Sequence, residues 1–201
     1  MTAATTPKGE RRRAALVQAA ADLLVEGGFD AVRHRAVADR AGLPLASTTY
    51  YFDSLEDLVT AAVEHHSRAE LENGRRRLDE LATRHRGVQA TVELVLDMLL
   101  GTTSGDPEAD AEAVLLRYER LVATGRRPYL RPLMRTLSAQ LNELLMEIFA
   151  RSGTPVGATE LERLVALVDG AVVNALIAID PDPRAAAARM LQAALVESAD
   201  A

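Results

Sequence analysis

Apolar residues recur at helical spacing along almost the whole chain. From Arg12 onward, alanine and leucine return every three or four residues, and this run stops at Gly27-Gly28, where glycine tolerates the left-handed backbone that ends many helices. No segment shows the strict polar and apolar alternation of a half-buried strand. The pattern predicts an all-α protein. The predicted helices cover residues 12–26, 33–40, 45–51, a long segment after 53, 88–100, 107–123, 131–151, 159–179 and 183–198.

Several of these helices carry boundary signals. Ser54 is placed as an N-cap with an acidic residue three positions later, Pro107 stands in a first turn, and Gly101 follows the last apolar residue of its helix. The long helix after Ser54 is expected to be interrupted at Asn73-Gly74. The first seven residues and the last few are expected to be disordered.

The penultimate helix, 159–179, is apolar on nearly all sides. Such a helix needs burial all round, which a core face together with a subunit interface would provide. The final helix has an apolar stripe and can pack beside it. Asp169 and Asn174 interrupt the apolar sequence, so their burial would demand hydrogen-bond partners, either in a neighbouring helix or subunit or in a ligand. The predicted interface residues are Leu161, Val165, Val168, Val172, Leu176, Met190, Leu191, Ala194 and Leu195.

Composition limits the class of protein. The chain has 201 residues, of which 48% are hydrophobic and 26% charged, as expected for a globular chain of one domain or two small ones. The absence of cysteine excludes disulfides, zinc ribbons, iron-sulfur clusters and thiol nucleophiles. No segment has the roughly 20 apolar residues of a membrane span. The early apolar stretch contains Asp22 and lacks a signal-peptide cleavage pattern, so a cytoplasmic protein is expected.

The net charge of −6 argues against binding to nucleic acid, but the charges are unevenly distributed along the chain. Residues 1–50 carry seven basic and five acidic side chains, whereas acidic residues predominate in the rest of the chain. The first quarter is therefore the only part with a basic balance, and an anion such as nucleic acid is a possible partner for it.

The segment 29–58 carries the most specific pattern. Two short helices joined by a tight turn at Gly42 form a helix-turn-helix. The segment resembles the DNA-binding unit of the TetR/AcrR family of transcriptional regulators over about residues 12–63, while the rest agrees in length, helical content and its apolar penultimate helix. The residues that carry the resemblance are Val37-Ala38, Ala41-Gly42-Leu43, Tyr50, Phe52, Ser54, Glu56 and Leu58.

The resemblance implies a three-helix helix-turn-helix DNA-binding domain at 8–54 and a helical ligand-binding and dimerisation domain at 55–199. It implies a homodimer, joined by the last two helices of each subunit, that acts as a repressor on a palindromic double-stranded DNA operator until a small-molecule effector releases it. An activator or effector-independent regulator of the same fold stays open. A helical enzyme or ligand carrier is the alternative from another class, but no nucleophile-base spacing supports it, so no enzyme activity is predicted.

The resemblance also implies which residues contact DNA. The 45–51 helix would enter the major groove, and the start of the preceding helix would meet the backbone or a flanking base. The chain departs from the family at Leu55, where a phosphate-gripping lysine is common, and at Thr49, where a tyrosine is common. The basic group Lys8 and Arg11 to Arg13 either supplies further contacts or forms a solvated flexible tail. The implied contacts are Arg33, His34, Arg35, Leu45, Ala46, Ser47, Thr49, Tyr50 and Tyr51.

Candidates for an effector pocket lie in the C-terminal part, where plain core is the alternative for each. They are Met98, Tyr118, Met134, Met146 and Asp169. The few aromatic residues there favour a small, mainly aliphatic effector. His65 and His66 are adjacent rather than four residues apart, and His34 and His85 lie elsewhere, so neither a metal nor another cofactor is predicted.

Overall fold

The computed structural model describes residues 6–81 and 87–199, and every regular element in these ranges is helical. The all-α prediction is confirmed. The elements are α1 (Pro7–Ala31), α2 (His34–Arg40), α3 (Ala46–Tyr51), α4 (Leu55–Leu81), α5 (Val88–Leu100), α6 (Pro107–Thr124), a short 3₁₀ helix (Pro128–Leu130), α7 (Arg131–Arg151), α8 (Ala158–Ile177) and α9 (Pro183–Ala199).

Helix α1 begins earlier than its apolar pattern predicts. The Gly9 N–H donates to the Thr6 hydroxyl oxygen at 3.2 Å, so Thr6 caps the helix and Pro7 occupies its first turn. The expectation of disorder is therefore wrong at residues 6 and 7. The basic group that follows Pro7 lies on a helix, so the alternative of a flexible tail is also wrong. Gly28, with φ of 66°, breaks the helix near its predicted end before one more turn forms.

Helix α4 begins as predicted but is not interrupted at Asn73-Gly74. The Asp57 N–H donates to the Ser54 hydroxyl oxygen at 3.1 Å, which confirms the predicted N-cap. Gly74 is buried within the continuous helix, where a Cβ atom would lie 2.6 Å from Cε of Met98 and 3.0 Å from Cδ2 of Leu144. This glycine therefore serves close packing rather than helix termination.

By their contacts, the described residues form two compact units. The first contains residues up to Ala69 together with Tyr118–Arg135, and the second contains Glu70–Arg117 and the residues from Thr136 onward. Helices α4, α6 and α7 each contribute residues to both units. The predicted boundary between residues 54 and 55 divides the chain by role rather than by contacts, and it stays a prediction.

The first unit has a small aliphatic core with one aromatic ring. Leu16, Val37 and Phe52 are buried together with Val32 and Leu58. These side chains come from α1, the residue after it, α2, the residue after α3, and α4. Burial of this set holds α1, α2 and α3 against one another.

The second unit is held by apolar packing and by one charged cluster. Helix α9 packs against both α5 and α8. The carboxylate of Asp97, whose side chain is only 9% exposed, forms ion pairs with Arg77 and Arg184. Because a buried charge is costly unless it is paired, this cluster holds α4, α5 and α9 together.

The faces of α8 and α9 differ from the sequence prediction. Of the predicted interface residues, Val165 and Leu176 are half-buried and Met190 is exposed. Asp169 and Asn174 are also exposed, so neither is buried within the protomer, and their burial in a subunit interface stays a prediction. Since the other predicted residues fill the protomer's own core, they do not face a partner. These six residues are Leu161, Val168, Val172, Leu191, Ala194 and Leu195.

None of the described helices is both long and apolar enough to cross a membrane.

Candidate nucleic-acid interface

The turn between α2 and α3 is built by backbone hydrogen bonds and one glycine. The Ala41 N–H donates to the Val37 carbonyl at 2.9 Å, and the Leu43 N–H donates to the Ala38 carbonyl at 2.9 Å. Gly42 has φ of 64°, a conformation that costs a side-chain-bearing residue energy. The chain thus ends α2 sharply at Arg40 and starts α3 at Ala46.

Thr48 orients α3. Its side chain is fully buried, and its hydroxyl donates to the Leu45 carbonyl at 2.8 Å, so a polar atom on the inner face is satisfied. The helix therefore presents its other face to solvent. On that face Leu45 is 52% exposed and Tyr50 is 68% exposed.

The exposure of the other α3 residues follows from this orientation. Ala46 and Thr49 are exposed and Ser47 is half-buried. The Thr49 hydroxyl donates to the Ala46 carbonyl at 3.3 Å. Tyr51 is half-buried, with its ring edge-on to that of Tyr50 at 4.9 Å between centroids.

The start of α2 presents two guanidinium groups. Arg33 and Arg35 are exposed, and the Arg33 Nε donates to the Asp30 carbonyl at 3.0 Å. His34 is half-buried, and its Nδ1 is buried with no hydrogen-bond partner within the described part of the chain. The structure thus places exposed basic groups at the start of α2, at the other end of that helix from the turn into α3.

Two other arginines of this region are engaged within the protein. Arg40 forms a two-bond pair with Glu26 of α1, with Nη1 to Oε1 at 2.9 Å and Nη2 to Oε2 at 2.6 Å. The hydrogen bond to Arg40 lowers the pKa of Glu26 below its usual range. The Arg13 guanidinium lies 5.1 Å from the centroid of the Phe52 ring. The basic excess of the first quarter is therefore not all available to an anion.

A residue outside the sequence prediction also belongs to the first unit. The guanidinium of Arg127, just before the 3₁₀ helix, lies 3.8 Å from the centroid of the Phe29 ring. Its Nη1 donates to the Ala123 carbonyl at 2.8 Å. Nothing in the spacing of these residues signals the contact, because they are far apart in the sequence.

The predicted effector residues have different environments. Met98 is buried against Gly74, Asp169 is exposed, and the others are half-buried, namely Tyr118, Met134 and Met146. Their role as a pocket stays a prediction. Within the described residues no group of three histidine, aspartate or glutamate side chains is arranged to hold a metal ion, and His85 lies outside those residues.

Two family models match the chain. Residues 86–197 match the model described as "Tetracyclin repressor-like, C-terminal domain". Residues 16–62 match the one described as "Bacterial regulatory proteins, tetR family", which spans the turn and α3. No curated protein shows a significant match.

Solved structures resemble the chain over nearly its whole length. The multidrug binding protein EbrR complexed with proflavin is 29% identical, with 91% of this chain and 99% of that chain covered and a TM-score of 0.62. A member of the TetR family from Streptomyces coelicolor A3 is 28% identical, covering 91% and 97%, with a TM-score of 0.55. A TetR transcription regulator from Haloarcula marismortui is 20% identical, covers 94% and 98% with a TM-score of 0.64, and shows the fold alone.

Proposed function

Because the chain belongs to the TetR family of transcription regulators, we propose that it binds a palindromic operator as a homodimer and releases it when a small molecule binds. The observation that carries this proposal is the outward face of α3, held in place by the buried Thr48 inside the segment that matches the family model. Selection of bound fragments from random double-stranded DNA tests it. A palindrome should be recovered, because two-fold protein symmetry is mirrored in the site.

The proposed DNA contacts are supported by the exposure of Leu45, Ala46, Thr49 and Tyr50. Two-bond contacts with bases are made by arginine, lysine, asparagine or glutamine. None of these residue types is among the predicted base-facing residues of α3, which are Leu45, Ala46, Ser47 and Thr49. Specificity would then come from apolar contact with thymine methyl groups, from DNA shape, and from the exposed arginines at the start of α2. Tyr50 and Tyr51 would donate to phosphates, and Arg33 and His34 would meet the DNA backbone or a flanking base.

Arg35→Ala is expected to weaken operator binding by about 1 to 3 kcal/mol and to relax specificity at one position in each half-site if Arg35 contacts a base. Tyr50→Phe removes one hydroxyl and should weaken binding to all sequences alike. Fluorescence anisotropy with the selected operator and with single-base variants measures both effects. Arg75→Ala, an exposed arginine on α4, is the control and should bind normally. Normal operator affinity in both test variants would contradict this orientation of α3.

The homodimer is proposed from the apolar side chains that α8 and α9 leave exposed. Val173 and Ile177 lie one turn apart on α8, Met190 and Val196 lie on α9, and Ile179 follows α8. Apolar surface of this extent on adjacent helices is typical of an interface. In a dimer, operator binding requires the two copies of α3 to lie one helical turn of DNA apart, about 34 to 36 Å.

Ligand response is proposed from the relatives. Proflavin is a planar aromatic cation, and the structure of EbrR with proflavin is of a protein 29% identical to this chain. An effector of that chemistry differs from the mainly aliphatic one that the sparse aromatic residues favour. Titration of candidate ligands into the protein-operator complex distinguishes them, since an effector lowers operator affinity without competing for the DNA surface. Repression and a cytoplasmic location stay predictions.

A further inference from the structure

A cleft of about 290 Å³ lies within the second unit. It is enclosed by the end of α5 and the loop after it, by the first two turns of α6, and by the start of α9 with the residues before it. Its volume is close to the lower end of the range for small-molecule sites. The cleft is therefore large enough for a compact organic molecule.

The inner surface of the cleft is apolar. Leu100 and Val114 line it and are almost fully buried, and Pro183 is buried beside them. Pro107 and Ala111 complete the apolar part on α6. A ligand with a hydrophobic body would remove this surface from water, which favours binding.

The one basic side chain of the lining is engaged with neighbouring groups. Arg184 donates from Nη1 to the Gly101 carbonyl at 2.7 Å and forms an ion pair with Asp97 through Nη2. Asp97 is largely buried, so the pair is protected from solvent. Because Asp97 also pairs with Arg77, Arg184 is only partly compensated, and it closes one side of the cleft.

Two carboxylates line the cleft. Asp110 accepts the Ser104 N–H and hydroxyl, both at 2.7 Å, and the Gly105 N–H at 3.3 Å. These hydrogen bonds hold its pKa below the usual value. The Asp182 carboxylate accepts the Ala185 N–H at 2.8 Å on one of its two oxygens. The two carboxylates outnumber the one guanidinium of the lining, which shares Asp97 with Arg77, so the polar edge of the cleft favours positive charge.

We propose that this cleft binds a small organic cation with an apolar body, such as an aryl-alkyl ammonium compound. The apolar part would contact Leu100 and Val114, and the cationic part would lie beside Asp110 and Asp182. None of the effector residues predicted from the sequence lines this cleft.

Binding here would also act on α6. This helix begins at the cleft with Pro107, and its residues from Tyr118 onward belong to the unit that contains the helix-turn-helix. A ligand that fixes the first turns of α6 against the start of α9 would thus act on a helix shared with the DNA-binding unit. This regulatory step rests on the proposed function, whereas the binding step does not.

The experiment is calorimetric titration of the full-length protein with benzyltrimethylammonium in the absence of DNA. One site per chain is expected. Asp182→Asn should weaken binding about fivefold, the scale of one partly exposed charge interaction, because asparagine keeps the helix cap and removes the charge. Ala111→Phe should fill the cleft and weaken binding more than tenfold. Glu112→Gln makes the same kind of charge change on an exposed residue of α6 outside the lining and should bind like the parent chain.

Several outcomes would overturn the cation site. The first is that the cation does not bind at millimolar concentration. The second is that Asp182→Asn and Ala111→Phe both bind it with unchanged affinity while thermal melting shows that both are folded. The third is that phenylacetate binds more tightly than the cation. A separate titration into the protein-operator complex addresses regulation. Cation binding with unchanged operator affinity would overturn the step through α6 and support the site, while failure to bind any operator would contradict the proposed function alone.

Discussion

Val173→Glu combined with Ile177→Glu is expected to make the protein monomeric and to reduce its affinity for a palindromic operator by about 100-fold or more. The two side chains are 41% and 76% exposed and lie four residues apart, on one face of α8. Carboxylates there would be buried without partners in a dimer. A monomer would also lose the avidity from two linked half-site contacts, about 10²- to 10⁴-fold. Analytical ultracentrifugation and operator anisotropy measure the two effects.

Two comparisons separate loss of dimerisation from loss of folding. Val172→Glu changes a fully buried neighbour on α8, so it should lower thermal stability instead of producing a folded monomer. Leu121→Glu with Val122→Glu places the same charges on two exposed apolar residues of α6 and should leave the dimer intact. A double α8 variant that stays dimeric at micromolar concentration would contradict an interface on this face.

The contrast between Val172 and Val173 shows what the sequence could not determine. Both residues are valines in an apolar helix, yet the first is fully buried and the second is 41% exposed. Periodicity identifies a buried face only where polar residues mark the opposite one, and α8 has few. The sequence therefore predicted the helix and its involvement in packing, but it assigned core residues to the interface.

Helix ends were predictable where the signal was local. The bounds Val88–Leu100 and Arg131–Arg151 are those that the sequence predicts. Gly101 indeed follows the end of its helix, where it adopts φ of 93°. Gly74 gives the same local signal, but its role depends on Met98 and Leu144 from two other helices, which no local pattern contains.

The candidate DNA interface, too, could be predicted only where its signal lies in neighbouring residues. The helix-turn-helix was recognisable from consecutive residues, and Val37 and Phe52, which carry the resemblance, are buried. The pairing of Arg40 with Glu26 depends on how α1 crosses α2, so counting basic residues could not show that this arginine is engaged while Arg35 is exposed.

Gly74→Ala is expected to lower the free energy of unfolding by about 1 to 3 kcal/mol, the usual cost of overfilling a packed core. In an exposed helix the same change would stabilise by about 0.5 to 1 kcal/mol, because alanine loses less backbone entropy than glycine. Here the added methyl group would overlap the end of the buried Met98 side chain and crowd Leu144, so one of them must move. Urea denaturation followed by circular dichroism measures the change, with Asn73→Ala on the exposed side of the same turn as a control that should be neutral or slightly stabilising.

A double variant tests the cause of this loss. Met98→Ala alone should cost about 2 to 5 kcal/mol because it leaves a cavity in the core. Combined with Gly74→Ala, the new methyl group would occupy part of that cavity and no longer meet the Met98 side chain. The double variant should therefore lose at least 0.5 kcal/mol less than the two single losses added together, the coupling expected of residues in contact. Additive losses, or a Gly74→Ala protein as stable as the parent chain, would contradict close packing as the reason for glycine in the middle of α4.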